Sequence, residues 1–228
     1  MEDFIFETRE AASVAAADFM ATCMERRLDL QRRASVIITG GSSPGRCYEA
    51  LSEKELDWDR VDLVLSDERW VPADHKDSNE RQARETLTRG NAAAATLHPM
   101  YSAEADIEAR VAELNAELKM LPIPFSVALL GMGEDGHFAS LFPDANDLES
   151  GLSADHPELC MAVNTQASPH PRLSLTMSAI SRSDAVVLLI FGEAKKTVIE
   201  KAKAGDASYP VTRLLRQKKA PVHVYWAA

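Results

Sequence analysis

Ser35-Val36-Ile37-Ile38-Thr39 forms a short apolar run that ends at Gly40-Gly41. A run of this length, rich in β-branched residues and closed by glycines, predicts a strand buried on both faces. Pro44 suits the first turn of a following helix, with Ser42 or Ser43 as its N-cap. We therefore expect a strand, a tight turn and a helix, the unit from which parallel α/β sheets are built.

The same alternation of patterns extends over the rest of the chain. Apolar residues three or four positions apart predict a first helix; they are Val14, Ala17, Ala21, Met24 and Leu28. Further strands are predicted at Val61–Leu65, Phe125–Leu130, Leu159–Val163, Ala185–Phe191 and Val222–Trp226. Further helices are predicted at Asp77–Leu87, Ala103–Leu118 and Glu193–Ala202. Alternating strands and helices pair in parallel through right-handed crossovers, which predicts an α/β fold with an open, mainly parallel sheet and helices on both faces.

The length and charge of the chain limit the classes of protein. The 228 residues are enough for one α/β domain over 1–228, and no repeat or low-complexity linker divides them. The short run Ala92–Ala95 is interpreted as a turn and connector. A formal net charge of −10 argues against non-specific binding to nucleic acid or to anionic membranes. A small anion could still bind in a locally basic pocket.

Cysteine usage and the start of the chain indicate a compartment. Cys23, Cys47 and Cys160 are an odd number of widely spaced cysteines without a C-x-x-C pair, which indicates reduced thiols in the core. The acidic segment Met1–Glu7 lacks the apolar run of a signal peptide, and no stretch is long enough to span a bilayer. The sequence therefore predicts a cytoplasmic protein, and it indicates no oligomeric state.

The loop after the first buried strand could bind an anion. Ligands of parallel sheets bind beyond the carboxyl ends of the strands. Gly40 and Gly41 let the backbone approach an anion there, the next helix presents free N–H groups, and Ser42 and Ser43 add hydroxyls. A tight strand-to-helix turn explains the glycines equally well. The loop lacks the Gly-Lys-Ser/Thr of a Walker A motif, and its glycine spacing does not match G-x-G-x-x-G.

Charged residues follow the strand at Val61–Leu65, in the loop Ser66-Asp67-Glu68-Arg69-Trp70-Val71-Pro72. A carboxylate beside an arginine at a strand end suits both proton transfer and phosphate contact. Two alternatives stay open: a solvated loop, and a carboxylate that binds a ribose hydroxyl in a dinucleotide-binding fold.

The strongest local signal is the loop Gly131-Met132-Gly133-Glu134-Asp135-Gly136-His137, which follows the strand at Phe125–Leu130. A helix beginning near Gly136 would place His137 at its N-terminus, in the crevice at the carboxyl ends of the strands. A histidine can take or give a proton near neutral pH. The other five histidines are interpreted as structural or exposed, and no spacing predicts a metal site. They are His75, His98, His156, His170 and His223.

Two basic residues lie in positions from which they could reach a phosphate. Arg172 lies in His170-Pro171-Arg172-Leu173-Ser174, and Lys195 follows the strand at Ala185–Phe191 at the start of a predicted helix. Either one alone is typical of a surface charge.

In this order, these motifs resemble the 6-phosphogluconolactonase family. The resemblance rests on the glycine–serine loop at 40–44, the segment Asp67–Pro72 with His75 and Ser78-Asn79, and the segment Gly131–His137 with Ser140–Pro143. Arg172–Thr176, Lys195 after Gly192, Pro210–Leu215 and Val222–Trp226 extend it over most of the chain. The one departure is Ser43 where threonine is common, and it keeps a hydroxyl.

The resemblance implies a Rossmann-like sugar-phosphate-binding fold and hydrolysis of 6-phosphoglucono-δ-lactone to 6-phosphogluconate in the oxidative pentose phosphate pathway, without cofactor or metal. It implies His137 as the general base and then acid. Asp67 is expected to orient that histidine or the sugar, and it is the second candidate for proton transfer. Substrate binding is expected from the remaining site residues, which are Gly40, Gly41, Ser42, Arg69, Gly133, Asp135, Gly136, Arg172 and Lys195.

Three alternatives remain at this point. The related glucosamine-6-phosphate isomerases/deaminases also carry Asp-Gly-His, but continue into Asn-Glu-Pro, whereas this chain continues into Ser140-Leu141-Phe142-Pro143 without the ring-opening glutamate. A non-catalytic sugar-phosphate sensor would have no need of His137 beside Asp135 and Gly136. A dinucleotide-dependent dehydrogenase is disfavoured by the glycine spacing of the first loop.

Overall fold

The structure is a computed structural model that describes residues 1–228. Its strands are β1 (Glu2–Phe6), β2 (Ala34–Ile38), β3 (Val61–Leu65), β4 (Asp67–Arg69), β5 (Thr96–His98), β6 (Val127–Leu130), β7 (Cys160–Val163), β8 (Arg172–Leu175), β9 (Val186–Phe191) and β10 (Val222–Ala227). Its α-helices are α1 (Arg9–Leu30), α2 (Gly45–Ser52), α3 (Asn79–Thr86), α4 (Ile107–Lys119), α5 (Leu148–Gly151), α6 (Met177–Ile180), α7 (Glu193–Ala204) and α8 (Val211–Arg216).

Seven strands form one sheet in the order β1-β10-β9-β6-β2-β3-β5, and every pairing in it is parallel. The chain builds the sheet from β2 in one direction through β3 and β5, and then in the other through β6, β9 and β10. The direction therefore reverses between β2 and β6, which is the switch point where such sheets bind ligands. The predicted α/β fold with an open, mainly parallel sheet is confirmed.

The central strands are covered on both faces. Every residue of β2, β3 and β6 is buried. Successive side chains of a strand point to opposite faces of the sheet, so each face must be covered by a layer of helices. Right-handed crossovers on either side of the switch point supply these two layers. Helix α1 packs closely against α2 and β10 through small residues such as Ala12, Ala16 and Ala17. None of the helices combines the length and the apolar composition that a bilayer crossing requires.

A second, antiparallel sheet of three strands, in the order β4-β8-β7, was not predicted. The segment expected as a parallel strand at Leu159–Val163 forms β7 in this sheet. Only residues 164–171 separate β7 from β8, which is too short for a parallel crossover and therefore gives an antiparallel pair. Asp67 lies opposite Ser174, and Arg69 lies opposite Arg172, so this sheet brings the second loop against the arginine segment.

The predicted N-termini of three helices, α2, α3 and α4, need correction. Pro44 itself is the N-cap residue of α2, and no side chain caps that helix, so neither Ser42 nor Ser43 has the predicted capping role. Helix α4 begins only after Asp106, whose side chain accepts a hydrogen bond from the Ala109 N–H. Helix α3 likewise begins after Ser78, which caps it through the Arg81 N–H. In α3 and α4, the polar capping residue determines the first residue of the helix more precisely than the periodicity of apolar residues does.

Candidate active site

A cavity of about 220 Å³ opens at the carboxyl ends of β2, β3 and β6, beside the switch point. Its lining includes most of the residues predicted from the sequence, which are Gly40, Gly41, Ser42, Asp67, Arg69, Gly133, His137, Arg172 and Lys195. The predicted residues Asp135 and Gly136 do not line it. Ser43, predicted to add a hydroxyl to the first loop, also lines it. The lining residues without a predicted role are Thr39, Asn79, Gly131, Met132, Phe138, Ala139 and Phe142.

A histidine–aspartate pair lies at the wall of this cavity. The Nδ1 atom of His137 is 2.6 Å from Oδ1 of Asp135, which also accepts the His137 backbone N–H at 3.2 Å. The imidazole packs against the ring of Phe142, with 4.1 Å between centroids. An ionised Asp135 assigns the ring proton to Nδ1, which leaves Nε2 with a free lone pair. Burial opposes ionisation of Asp135, but hydrogen bonding and attraction to His137 outweigh it and lower the pKa of this carboxyl.

The loop that carries this pair does not begin a helix, contrary to the prediction. The Gly136 N–H donates to the Gly133 carbonyl at 3.0 Å, and the Gly133 N–H donates to the His137 carbonyl at 2.9 Å. Gly136 has φ of +76° and Ala139 has φ of +49°, values that a right-handed helix excludes. A methyl group on Gly133 would lie 2.3 Å from His137 Nδ1, so this position must be glycine for the pair to form.

The predicted role of Asp67 in orienting the histidine is not what the geometry shows, because the carboxylate that contacts His137 is Asp135. Asp67 is buried, and its oxygens accept hydrogen bonds from Ser140 Oγ at 2.6 Å and from Ser66 Oγ at 3.0 Å. Its Oδ2 is also 3.4 Å from Arg172 Nη1. These contacts hold the Asp67 carboxylate in the lining of the cavity.

Three cationic side chains line the cavity, and only one of them is paired with a carboxylate. Burial lowers the pKa of Arg172, and attraction to Asp67 opposes that change. Arg69 donates from Nη1 to the carbonyl of Asp77 at 2.5 Å, and its buried Nε has no partner. Lys195 makes no hydrogen bond or ion pair; burial lowers its pKa, and attraction to Glu134 partly offsets this. The cavity is therefore a positively charged region on an acidic protein.

The glycine–serine loop adds backbone donors to this region. Gly41 is held by Gln82, which accepts its N–H at 3.0 Å and donates to its carbonyl at 2.6 Å. The N–H groups of Gly40, Ser42 and Ser43 have no acceptor within the chain. These free donors are available to an anion, the role predicted for this loop, although the Gly41 N–H is already occupied.

Two residues near the cavity have roles that the sequence reasoning missed. Glu68 is buried, and its carboxylate accepts the N–H groups of Asn79 and Glu80 at 2.8 and 2.7 Å, so it holds the N-terminus of α3. Asn79 packs so closely against Gly40 that a Cβ there would lie 1.9 Å from its Oδ1. Burial raises the pKa of Glu68, and hydrogen bonds from these backbone N–H groups oppose the rise. In the sequence, the motif Ser78-Asn79 was the feature that could have indicated these roles.

A histidine–aspartate pair beside free cations, at the switch point of a doubly wound parallel sheet, is typical of enzymes that act on small phosphorylated substrates. The family model described as glucosamine-6-phosphate isomerases/6-phosphogluconolactonase matches residues 7–226. The chain belongs to this family.

Relatives named 6-phosphogluconolactonase and solved structures agree with that assignment. The chain is 35% identical to the 6-phosphogluconolactonase of Rhizobium meliloti, over 98% of this chain and 97% of the relative. It is 37% identical to that of Caulobacter vibrioides, over 97% and 95%. The crystal structure of a 6-phosphogluconolactonase from Shewanella baltica superposes with a TM-score of 0.96 at 36% identity, over 100% of this chain and 98% of that one. A monomeric glucosamine-6-phosphate deaminase, 19% identical with a TM-score of 0.74, shares the fold.

Proposed function

We propose that the protein hydrolyses 6-phosphoglucono-δ-lactone to 6-phosphogluconate in the oxidative pentose phosphate pathway, and works in the cytoplasm. The observation that carries the proposal is the placement of His137, held by Asp135, in a cavity with three cationic side chains. Full-length relatives named 6-phosphogluconolactonase support the choice of substrate.

The reaction requires a nucleophilic water, stabilisation of a developing oxyanion and a proton for the leaving oxygen. His137 Nε2 takes a proton from water as the water oxygen attacks the lactone carbonyl carbon. The tetrahedral oxyanion then collapses, the bond from that carbon to the ring oxygen breaks, and the same imidazolium returns its proton to the ring oxygen. Asp135 holds the imidazole in the required tautomer and stabilises its charged form.

The phosphate does not react, so its binding energy serves to position the ring. Lys195, Arg69 and Arg172 are the cations available to it, together with the free N–H groups of the glycine–serine loop at 40–43. Arg172 is partly neutralised by Asp67, and Arg69 donates to the carbonyl of Asp77, which leaves Lys195 as the cation without a hydrogen bond or ion pair. No step uses a metal ion or a redox cofactor.

The direct test is lactone hydrolysis, followed by acid release and corrected for the spontaneous reaction. We expect rapid hydrolysis of 6-phosphoglucono-δ-lactone, much poorer hydrolysis of glucono-δ-lactone, and no ammonia from glucosamine 6-phosphate. Equal efficiency on the two lactones would contradict the phosphate site. Ammonia release at a comparable rate would favour the isomerase/deaminase alternative, and absence of any turnover would favour a sugar-phosphate sensor.

Removing the charge of Lys195 should weaken substrate binding. Lys195→Met keeps an unbranched apolar side chain and loses a charge-assisted contact of about 1.5–3 kcal/mol, so KM for the phosphorylated lactone should rise by roughly 10–150-fold. Turnover of glucono-δ-lactone should not change, because that substrate has no phosphate.

Lys196→Met is the matched control. The neighbouring ammonium lies over the ring of Trp226, 3.9 Å from its centroid, and does not line the cavity. We expect an unchanged KM in this variant. If both lysine variants changed KM equally, or if Lys195→Met impaired both lactones equally, Lys195 would not be a phosphate ligand.

A further inference from the structure

Three metal-ligating side chains meet outside the cavity, although the sequence predicted no metal cluster. His75 and Asp77 lie between β4 and α3, and His170 lies between β7 and β8. Asp77 Oδ2 is 3.2 Å from His170 Nε2 and 3.8 Å from His75 Nδ1. One ligand atom from each residue falls within 4.8 Å of the other two.

We propose that His75, Asp77 and His170 bind one divalent transition-metal ion, of which Zn²⁺ is the best fit. Two imidazole nitrogens and one carboxylate oxygen are a ligand set that Zn²⁺ commonly takes, with water in the fourth position. Bonds of about 2.0–2.1 Å in a tetrahedron separate ligand atoms by roughly 3.3 Å. The two separations from Asp77 Oδ2, 3.2 and 3.8 Å, are near this value, and the two imidazole nitrogens lie within 4.8 Å of each other, so side-chain movements complete the site.

The imidazole of His75 is oriented toward Asp77. Its Nδ1 accepts the backbone N–H of Asp77 at 3.2 Å, and a bound ion takes the place of this hydrogen bond on the same nitrogen. The two imidazole rings are nearly perpendicular, with 5.5 Å between centroids, so each can direct one nitrogen at Asp77. All three side chains are half-buried, which gives an ion access from solvent and limits its hydration.

The site would join two segments that hold cavity residues. The carbonyl of Asp77 accepts the hydrogen bond from Arg69, and Ser168, two residues before His170, accepts one from Arg172 Nε. These segments are already linked by the hydrogen bond from the Trp70 N–H to the Pro171 carbonyl at 2.8 Å. A bound ion adds a crosslink between residues 93 positions apart. None of the three ligands lines the cavity, so the ion is structural and takes no part in the hydrolysis.

Titration of the metal-free protein with Zn²⁺, by calorimetry and by metal analysis after dialysis, tests the site. We expect one Zn²⁺ per chain and a rise in Tm of about 5–10 °C at a free Zn²⁺ concentration about 100-fold above Kd. Co²⁺ should give the visible absorption of a tetrahedral centre with nitrogen and oxygen ligands. His75→Asn and His170→Asn should each weaken Zn²⁺ binding by at least about 100-fold, because even indirect partners of metal ligands contribute about 10–100-fold.

Two variants locate the ion. His156→Asn changes a half-buried histidine outside the cluster, and His137→Ala removes the cavity histidine; both should retain Zn²⁺ binding. Equal Tm values for the metal-free variants and wild type confirm that the ligand substitutions leave the fold intact. The proposal is overturned if wild type binds no Zn²⁺, if His75→Asn and His170→Asn bind it as wild type does, or if His137→Ala abolishes binding.

Discussion

Replacement of His137 by alanine is expected to lower kcat by about 10²–10⁴-fold, the usual contribution of general acid–base catalysis. The imidazole is the titratable group at the cavity wall whose second nitrogen is free, because Asp135 occupies Nδ1. KM should change little, since the cationic residues lie on other segments of the chain. His137→Gln keeps some hydrogen bonding but supplies no base, so its loss should be nearly as large. Rates per folded molecule, measured beside thermal melts, give these values.

A structural role for His137 predicts a different outcome. The ring also packs on Phe142, so a structural histidine would lose stability on substitution while the folded fraction kept its turnover. Turnover of folded His137→Ala within a few-fold of wild type would therefore require another base. Asp67, the carboxylate that lines the cavity, would be the next candidate.

The second large effect is expected at Asp135. Asp135→Asn should lower kcat by about 10²-fold, because an amide neither stabilises the imidazolium nor enforces the Nδ1–H tautomer. The loss is smaller than in fully buried triads because the Asp135 side chain is 42% exposed. The kcat of the folded variant, measured beside that of wild type, checks this value.

Glu134→Gln is the matched control for Asp135→Asn. It makes the same carboxylate-to-amide change one residue earlier, on an exposed side chain without contact to His137. Its kcat should stay within a few-fold of wild type. If the two variants lost activity equally, the effect would come from the charge of the loop and not from the contact with the imidazole.

Local sequence patterns were sufficient for five of the seven strands of the main sheet, but they did not predict the two edge strands, β1 and β5. Ser35–Thr39 and Val61–Leu65 are fully buried apolar runs, and such runs specify central strands with little help from the rest of the chain. The strand β4 has only three residues, all charged, and forms because β8 lies opposite it. In β4, pairing with a distant strand outweighs the low strand propensity of charged residues, and the local sequence pattern does not reveal that pairing.

The site shows the same division between local and distant contacts. His137 could be predicted as the catalytic candidate because the glycines that indicate its loop lie within seven residues, Gly131–His137. The partner of that histidine depends on a turn with positive φ at Gly136, where the sequence pattern favoured a helix. The contact between Gln82 and Gly41 spans 41 positions, and that between Ser140 and Asp67 spans 73, so both depend on the completed fold.

The pairing of β1 has a consequence for synthesis on the ribosome. The first strand pairs only with β10, so residues 2–6 have no strand to pair with until residues 222–227 are available. Helix α1 and the central strands can assemble earlier, whereas the edge formed by β10 and β1 closes last and through contacts of very high sequence separation. Nascent chains stalled just before residue 222 should therefore expose an unpaired edge at β9 and a protease-sensitive leading segment, and release of the final residues should protect both together.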